Sequence, residues 1–179
     1  MQFRRDSCKF YSMSKKENNF AFIDGQNLYL GVKEFDWEFD YARFRVHLKE
    51  TYGVDRAMIF LGFVHGNEEL YEKLKKAGFD LQFKAVSYNK DGKVKGNVDA
   101  FLSVKAMAML DLYNKAVLVT SDGDFAELAK ELSKRNKLEV VLSPHKKTCS
   151  WLLRKEAKGK MRYLYTNRKK LEAQMKKHS

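Results

Sequence analysis

The chain has 179 residues, a net charge of +12 and 44% hydrophobic residues, a composition typical of one globular domain. No apolar run approaches the length of about 20 residues that a membrane-spanning helix needs, and residues 1–19 lack the apolar core of a secretory signal. Because there are only two cysteines, Cys8 and Cys149, we expect no disulfide framework and a protein of the reducing cytoplasm.

Composition divides the chain into three parts. Residues 1–19 are polar and aperiodic, so we predict a flexible N-terminal extension. Residues 20–145 form the predicted catalytic domain. Residues 146–179 form a basic segment that we expect to be mostly helical, apart from an apolar stretch at 161–165.

Within residues 20–145, short apolar runs alternate with longer amphipathic segments. The runs have the length of buried strands, which we predict at 20–23, 56–64, 79–86, 116–120 and 138–142. Helices are predicted between them at 27–35, 40–52, 68–77, 97–112 and 122–135, with Asp40 as an N-cap and Gly78 as a C-cap. This alternation predicts an α/β fold, a three-layer α/β/α sandwich with a mainly parallel central sheet of about five strands.

Four aspartates stand where these elements begin or end. Asp24 follows the first strand, Asp122 and Asp124 follow the fourth, and Asp99 falls in the first turn of the helix predicted at 97–112. Ligand sites of open parallel sheets lie beyond the carboxyl ends of the strands, so we expect these carboxylates to share one crevice. Carboxylates gathered in this way repel one another unless a cation is bound, and hard oxygen ligands favour Mg²⁺ or Mn²⁺ over Zn²⁺.

Some of these aspartates also have a purely structural interpretation. Asp122 could be the N-cap of the helix that follows it, and Asp99 could stabilise the first turn of its own helix. Capping explains only one of Asp122 and Asp124, however, and we expect it not to explain Asp24. The convergence of all four residues therefore favours a metal site.

Three motifs carry a resemblance to a known family. They are Phe22-Ile23-Asp24-Gly25-Gln26-Asn27, Lys95-Gly96-Asn97-Val98-Asp99 and Val119-Thr120-Ser121-Asp122-Gly123-Asp124-Phe125. In this order they resemble the motifs of NYN domains, which belong to the PIN-like nuclease superfamily, and the resemblance covers about residues 20–145. The segment Ser150-Trp151-Leu152-Leu153-Arg154 is similar to one that often follows the domain in bacterial members, the LabA-like type.

The resemblance implies a ribonuclease with an acidic pocket that binds Mg²⁺ or Mn²⁺. Such an enzyme would use a metal-activated water for in-line attack on the phosphodiester and would leave a 5′ phosphate. By position, the resemblance assigns catalysis and metal binding to Asp24, Asp99, Asp122 and Asp124. It implies supporting roles for Asn27, which would orient a ligand or metal-bound water, and for Ser121, which would add a hydroxyl beside the metal.

One departure from the family pattern keeps a second function open. Related nucleases often have a further acid shortly after the helical aspartate, whereas this chain has Phe101, Leu102 and Lys105. The alternative is thus a catalytically weak or inactive NYN-fold module that binds RNA or protein. A phosphatase of the haloacid-dehalogenase type ranks below both, because its second aspartate is replaced by Gln26.

Positive charge is concentrated at the C-terminal end, where residues 145–179 hold 12 Lys or Arg and two Asp or Glu. This distribution favours a polyanion partner, although a solvated surface explains any single lysine. We expect single-stranded RNA as the partner and no membrane, and self-association is left open. Trp37, Tyr88 and Trp151 are candidates for stacking on bases. The candidate phosphate-binding residues are Lys93, Lys95, Lys146, Lys147, Arg154 and Lys155.

Overall fold

Six parallel strands form the central sheet of the computed structural model, which describes residues 17–84, 87–88, 94–95 and 98–173. The strands of the described residues are β1 (Asn19–Asp24), β2 (Val54–Gly62), β3 (Asp80–Lys84), β4 (Ser87–Tyr88), β5 (Val94–Lys95), β6 (Ala116–Val119), β7 (Leu138–Ser143) and β8 (Met161–Tyr163). The order in the large sheet is β3-β2-β1-β6-β7-β8, while β4 and β5 form a separate antiparallel pair.

Helices connect the parallel strands, as crossover connections require. They are α1 (Gly25–Lys33), α2 (Tyr41–Tyr52), α3 (Glu68–Lys76), α4 (Val98–Ala108), α5 (Ala126–Lys134), α6 (Trp151–Glu156) and α7 (Arg168–Leu171). Two short 3-10 helices cover Gly123–Phe125 and Leu164–Asn167. None of the helices in the described part of the chain is long and apolar enough to cross a bilayer.

The helices cover both faces of the sheet, because successive side chains of a strand point to opposite sides. Phe20 and Phe22 of β1 pack with residues of α4, α5 and α6 in one hydrophobic core. Ala21 and Ile23 pack with residues of α1, α2 and α3 in the other. The predicted α/β/α sandwich is therefore confirmed.

The strand order reverses between β1 and β6. From β1 the chain proceeds outward to β2 and β3, whereas β6 is followed outward in the other direction by β7 and β8. The two central strands are in direct parallel register, with Phe20 opposite Ala116 and Ile23 opposite Val119. Residues that follow β1 and β6 consequently meet at a topological switch point, the usual ligand site of such sheets.

The element boundaries differ from the sequence predictions in several places. Residues 161–163, predicted only as an apolar stretch, form the sixth strand, β8, which pairs with β7. The helix predicted at 97–112 ends at Ala108, and the one predicted at 122–135 begins as a 3-10 turn. Asp40 caps α2 as predicted, since its carboxylate accepts the N–H groups of Ala42 and Arg43. Gly78 follows α3 with a positive φ of 89°.

Candidate functional site

Asp24 ends β1 and also begins α1, and its carboxylate is nearly buried. Oδ1 accepts the backbone N–H of Asn27 at 3.0 Å, so Asp24 is the N-cap of α1. The expectation that capping does not apply to Asp24 is therefore wrong. Oδ2 accepts the hydroxyl of Thr120 at 3.3 Å. Burial is the main cause that raises the pKa of Asp24 to about 6; the two hydrogen bonds lower it, and the charges of Asp99 and Asp122 raise it further.

The loop after β6 presents Asp122 and Asp124. Asp122 is half-buried and caps the 3-10 turn, because its Oδ1 accepts the N–H of Asp124 at 3.0 Å. Its own N–H donates to the hydroxyl of Thr120 at 3.1 Å. Asp124 is exposed. Asp122 could thus be both a cap and a metal ligand, since capping engages one carboxylate oxygen and leaves the other available.

Asp99 comes from a separate element and lies in the first turn of α4. It is half-buried, and its pKa is raised by burial first and then by the negative charges of Asp122 and Asp124. Burial without a compensating cation is costly for a carboxylate. The raised pKa therefore marks a position that would be stabilised by bound positive charge.

Three of the four predicted aspartates form a compact cluster. Asp99, Asp122 and Asp124 each offer an oxygen, and these oxygens all lie within 4.8 Å of one another. Asp24 lies outside this triad but is close enough for the charges of Asp99 and Asp122 to raise its pKa. Among the residues that the structure describes, no lysine or arginine forms an ion pair with any of the four. Such a cluster could bind a metal ion.

Hydrogen bonds of Asn27 and Ser121 hold the backbone next to Asp24 and Asp122. The Asn27 side chain accepts the N–H of Ser121 at 2.8 Å, which ties α1 to the loop after β6. The hydroxyl of Ser121 is buried and hydrogen-bonded to the hydroxyl of Ser143 at 2.8 Å. Asn27 and Ser121 thus have positioning contacts within the protein.

Thr120 is a supporting residue that sequence reasoning did not select. Its hydroxyl donates to Asp24 and accepts from the N–H of Asp122, so one side chain links the ends of both central strands. Its position directly after the apolar run Ala116–Val119 was the available signal, since a buried hydroxyl at a strand end needs partners.

The candidate nucleic-acid-binding residues are only partly within the described chain. Lys146 and Lys147 are exposed after β7, and Arg154 and Lys155 are exposed on α6. Lys93 and the side chain of Lys95 lie outside the described residues, as does the side chain of Tyr88. Trp37 is 5% exposed and cannot stack on a base in this conformation, whereas Trp151 is 66% exposed.

After Asp99, where the sequence departs from the family pattern, the structure has an aromatic side chain with two cations close to it. Phe101 packs edge-on against Phe60, with ring centroids 5.4 Å apart. The ammonium groups of Lys84 and Lys105 lie 5.7 and 5.8 Å from the centre of the Phe101 ring. The stretch of α4 in which related nucleases often have a further acid is therefore occupied by Phe101, Leu102 and Lys105.

Comparisons with known proteins agree with this geometry. The chain matches a solved structure from Vibrio parahaemolyticus RIMD 2210633, a protein of unknown function, with a TM-score of 0.71 and 22% identity. The match covers 84% of this chain and 95% of the other, and at this identity it supports the fold alone. No curated protein matches the chain. The family model of the NYN domain matches residues 20–164, most of the chain. The chain therefore belongs to the NYN domain family.

Proposed function

We propose that the protein is a metal-dependent ribonuclease whose site is the cluster of Asp99, Asp122 and Asp124 together with the nearby Asp24. The observation that carries the proposal is the convergence of three carboxylates from two separate elements, α4 and the loop after β6, within 4.8 Å. A structural role for each residue alone does not require this convergence. Membership of the NYN domain family supports the same function, because the resemblance to this family implies nuclease activity.

The donor set fits a hard divalent cation. The three clustered side chains offer oxygen only, and bound positive charge would offset their mutual repulsion and the cost of partly burying Asp99 and Asp122. We propose that Asp99, Asp122 and Asp124 hold Mg²⁺ or Mn²⁺, with Asp24 as a further ligand. When bound, such an ion supplies Lewis-acid polarisation of a phosphodiester and of the attacking water.

The residues of the chain itself supply orientation. Thr120 holds Asp24 and Asp122 in fixed positions through its hydroxyl. Asn27 holds the two strand ends together by accepting from Ser121 while its own N–H donates to Asp24. The ligands are therefore preorganised by buried hydrogen bonds, which reduces the entropic cost of binding a cation and a substrate.

A cleft beside the cluster offers room for a substrate. It has a volume of about 510 Å³ and lies between α1, β2 and α3. Gly25 and Val98 line it, and they are the chain neighbours of Asp24 and Asp99. The exposed cations Lys146, Lys147, Arg154 and Lys155 are proposed to bind the phosphates of RNA. The similarity of residues 150–154 to LabA-like proteins supports, as a finer proposal, that bacterial subtype.

The alternative is a module that binds RNA or protein without cutting. It is favoured by the packing of Phe101 against Phe60, beneath two lysines, in a region where related nucleases carry another acid. With the acid absent there, a second metal ion would have fewer ligands and turnover would be slow.

The test is cleavage of a labelled single-stranded RNA with Mg²⁺ or Mn²⁺. The wild type is compared with Asp24→Asn and with an EDTA control. The matched control is Asp111→Asn, which removes one exposed carboxylate before the amino-terminal end of β6. We expect metal-dependent cutting that is retained in Asp111→Asn and lost in Asp24→Asn. A folded, metal-loaded wild type that cuts no RNA would favour the binding module.

A further inference from the structure

We propose that Trp151 of α6 is a stacking platform for an unpaired base of the single-stranded nucleic acid whose backbone reaches the aspartate cluster. The proposal rests on the proposed function for the identity of the strand. It adds the segment that selects single strands over duplexes. Three features carry it: the exposure of the indole, its connection to the loop of Asp122, and the cations around it.

The indole of Trp151 belongs to neither of the two hydrophobic cores. α6 is amphipathic: Leu153 and the C-cap residue Ala157 are fully buried in the hydrophobic core, whereas Trp151 on the outer face is 66% exposed. The ammonium group of Lys155, one turn later, lies 5.8 Å from the centre of the Trp151 ring. A large apolar ring held at the surface beside a cation is suited to cover a second flat ring, because the stack removes apolar area from water.

The platform is attached directly to the loop that carries the acids. The N–H of Ser150 donates to the carbonyl of Ser121 at 2.9 Å, so Trp151 follows a residue that is bonded to the neighbour of Asp122. Gly123 also contacts Ser150 closely: a Cβ at position 123 would lie 2.7 Å from the Ser150 hydroxyl oxygen. Trp151 is therefore placed next to the loop of Asp122, where a strand that enters the cluster could reach it.

The charges and shape around Trp151 favour an unpaired nucleic-acid base over other occupants. Arg154 and Lys155 are exposed on the same short helix and could bind the phosphates on either side of a stacked base. Stacking needs a free face of the base, which a single strand offers and a duplex largely hides within its own stack. The platform is therefore expected to discriminate by strandedness and to have little sequence preference.

The test is binding in the Asp24→Asn background with EDTA, so that cleavage does not interfere. Fluorescence anisotropy is measured with labelled oligoadenylate and with a labelled RNA duplex. Trp151→Ala is expected to weaken oligoadenylate binding by about tenfold and to change duplex binding little. Trp151→Phe should keep most of the affinity. Leu152→Ala, which removes a neighbouring exposed apolar side chain, is the matched control and should bind as the background does.

Tryptophan emission gives a second readout. Trp37 is buried, so Trp151 is the indole that a ligand can reach, and oligoadenylate should quench its emission. In Trp151→Phe this quenching should vanish while binding persists. The proposal is overturned if Trp151→Ala binds oligoadenylate as tightly as Leu152→Ala, or if it weakens single strand and duplex equally. If the wild type cuts no RNA but Trp151 still stacks on the base, the ribonuclease proposal is overturned and the stacking proposal stands. If the wild type cuts RNA but Trp151 does not stack, the stacking proposal is overturned and the ribonuclease proposal stands.

Discussion

The side-chain oxygen of Asn27 accepts the backbone N–H of Ser121 at 2.8 Å and thereby joins the two halves of the sheet at the point where the strand order reverses. The same residue donates its own N–H to Asp24. Asn27 thus contributes to the spacing between the acid that ends β1 and the acids after β6. This bridge and the hydroxyl of Thr120 together hold the backbone on both sides of the switch point, although Asn27 itself is not one of the clustered ligands.

Asn27→Ala tests this bridge. The substitution leaves the N–H of buried Ser121 without its partner, which we expect to lower the free energy of unfolding by about 1–3 kcal/mol. It should also weaken Mn²⁺ binding, because one of the two side-chain links between the strand ends is lost and only that of Thr120 remains. Urea denaturation and calorimetry measure the two effects. Asn114→Ala, at an exposed asparagine before β6, is the matched control and should change neither quantity. Wild-type Mn²⁺ affinity in Asn27→Ala would refute the positioning role.

The raised pKa of Asp24 predicts how the metal-free protein responds to pH. This carboxyl has a pKa of about 6 when folded, compared with an ordinary value of 3.8. Between these values the folded protein binds more protons than the unfolded chain, so the contribution of Asp24 to stability falls as pH rises through this window. A shift of about two units corresponds to about 3 kcal/mol, and this loss is complete above about pH 6.

Asp24→Asn carries no ionisable group at this position and should escape that loss. In EDTA, the free energy of unfolding of Asp24→Asn relative to the wild type should increase between about pH 4 and about pH 7, by up to about 3 kcal/mol. Urea titrations at the two pH values measure it, with Asp111→Asn as the control for a lost charge. A difference that does not change with pH would mean that burial does not raise the pKa of Asp24.

Metal affinity should rise with pH, whereas the contribution of Asp24 to stability falls. Protons compete with a cation for Asp24 and Asp99, since the pKa values of both are raised. Apparent Mn²⁺ affinity should therefore drop at least about tenfold for each unit of pH below about 6, the factor for the one proton of Asp24, and level off above it. Calorimetric titrations across this range provide the measurement. Affinity that stays constant down to about pH 5 would argue that Asp24 takes no part in binding the ion.

Much of this site follows from the sequence because strand ends are easy to locate. The apolar runs before Asp24 and before Asp122 have the length and composition of buried strands, and parallel strands bring their carboxyl ends to one edge. Asp99 could be placed in a first helical turn for similar reasons. Local patterns therefore sufficed for the elements that carry the acids, and the structure brings Asp99, Asp122 and Asp124 together.

Other features depend on tertiary contacts that no local pattern encodes. β8 is only three residues long and carries Arg162, so its pairing with β7 determines that it is a strand. Trp37 lies in a polar stretch, but it is buried against Phe39 and Tyr165. The hydroxyl of Ser121 is paired with Ser143, which lies 22 positions later in the chain. The contacts of β8 with β7, of Trp37 with Tyr165 and of Ser121 with Ser143 all join residues that are far apart in the sequence.

Gly123→Ala tests the contact between the acid-bearing loop and α6. The added methyl group would lie 2.7 Å from the hydroxyl oxygen of Ser150 and 3.3 Å from its Cβ. We expect a loss of about 1–3 kcal/mol in the free energy of unfolding from this overpacking. Ser150→Gly should cost little, because Ser150 makes no side-chain cap bond to α6. The double variant should therefore recover most of the loss; thermal unfolding that shows purely additive effects would disprove a direct clash.

Lys146 and Lys147 provide the test of the proposed phosphate-binding rim. Both are exposed directly after β7, near the carboxyl edge where the aspartates lie. Each phosphate contact to a single strand contributes roughly 0.7 to the slope of log affinity against log salt concentration, because bound counterions are released. The variant Lys146→Ala/Lys147→Ala should therefore reduce this slope by roughly 1.4 and weaken binding at low salt. The matched control, Lys49→Ala/Lys76→Ala, removes two exposed lysines from the last turns of α2 and α3, near the opposite edge. Equal slopes for the two double variants would mean that the lysines after β7 are ordinary solvated surface charges.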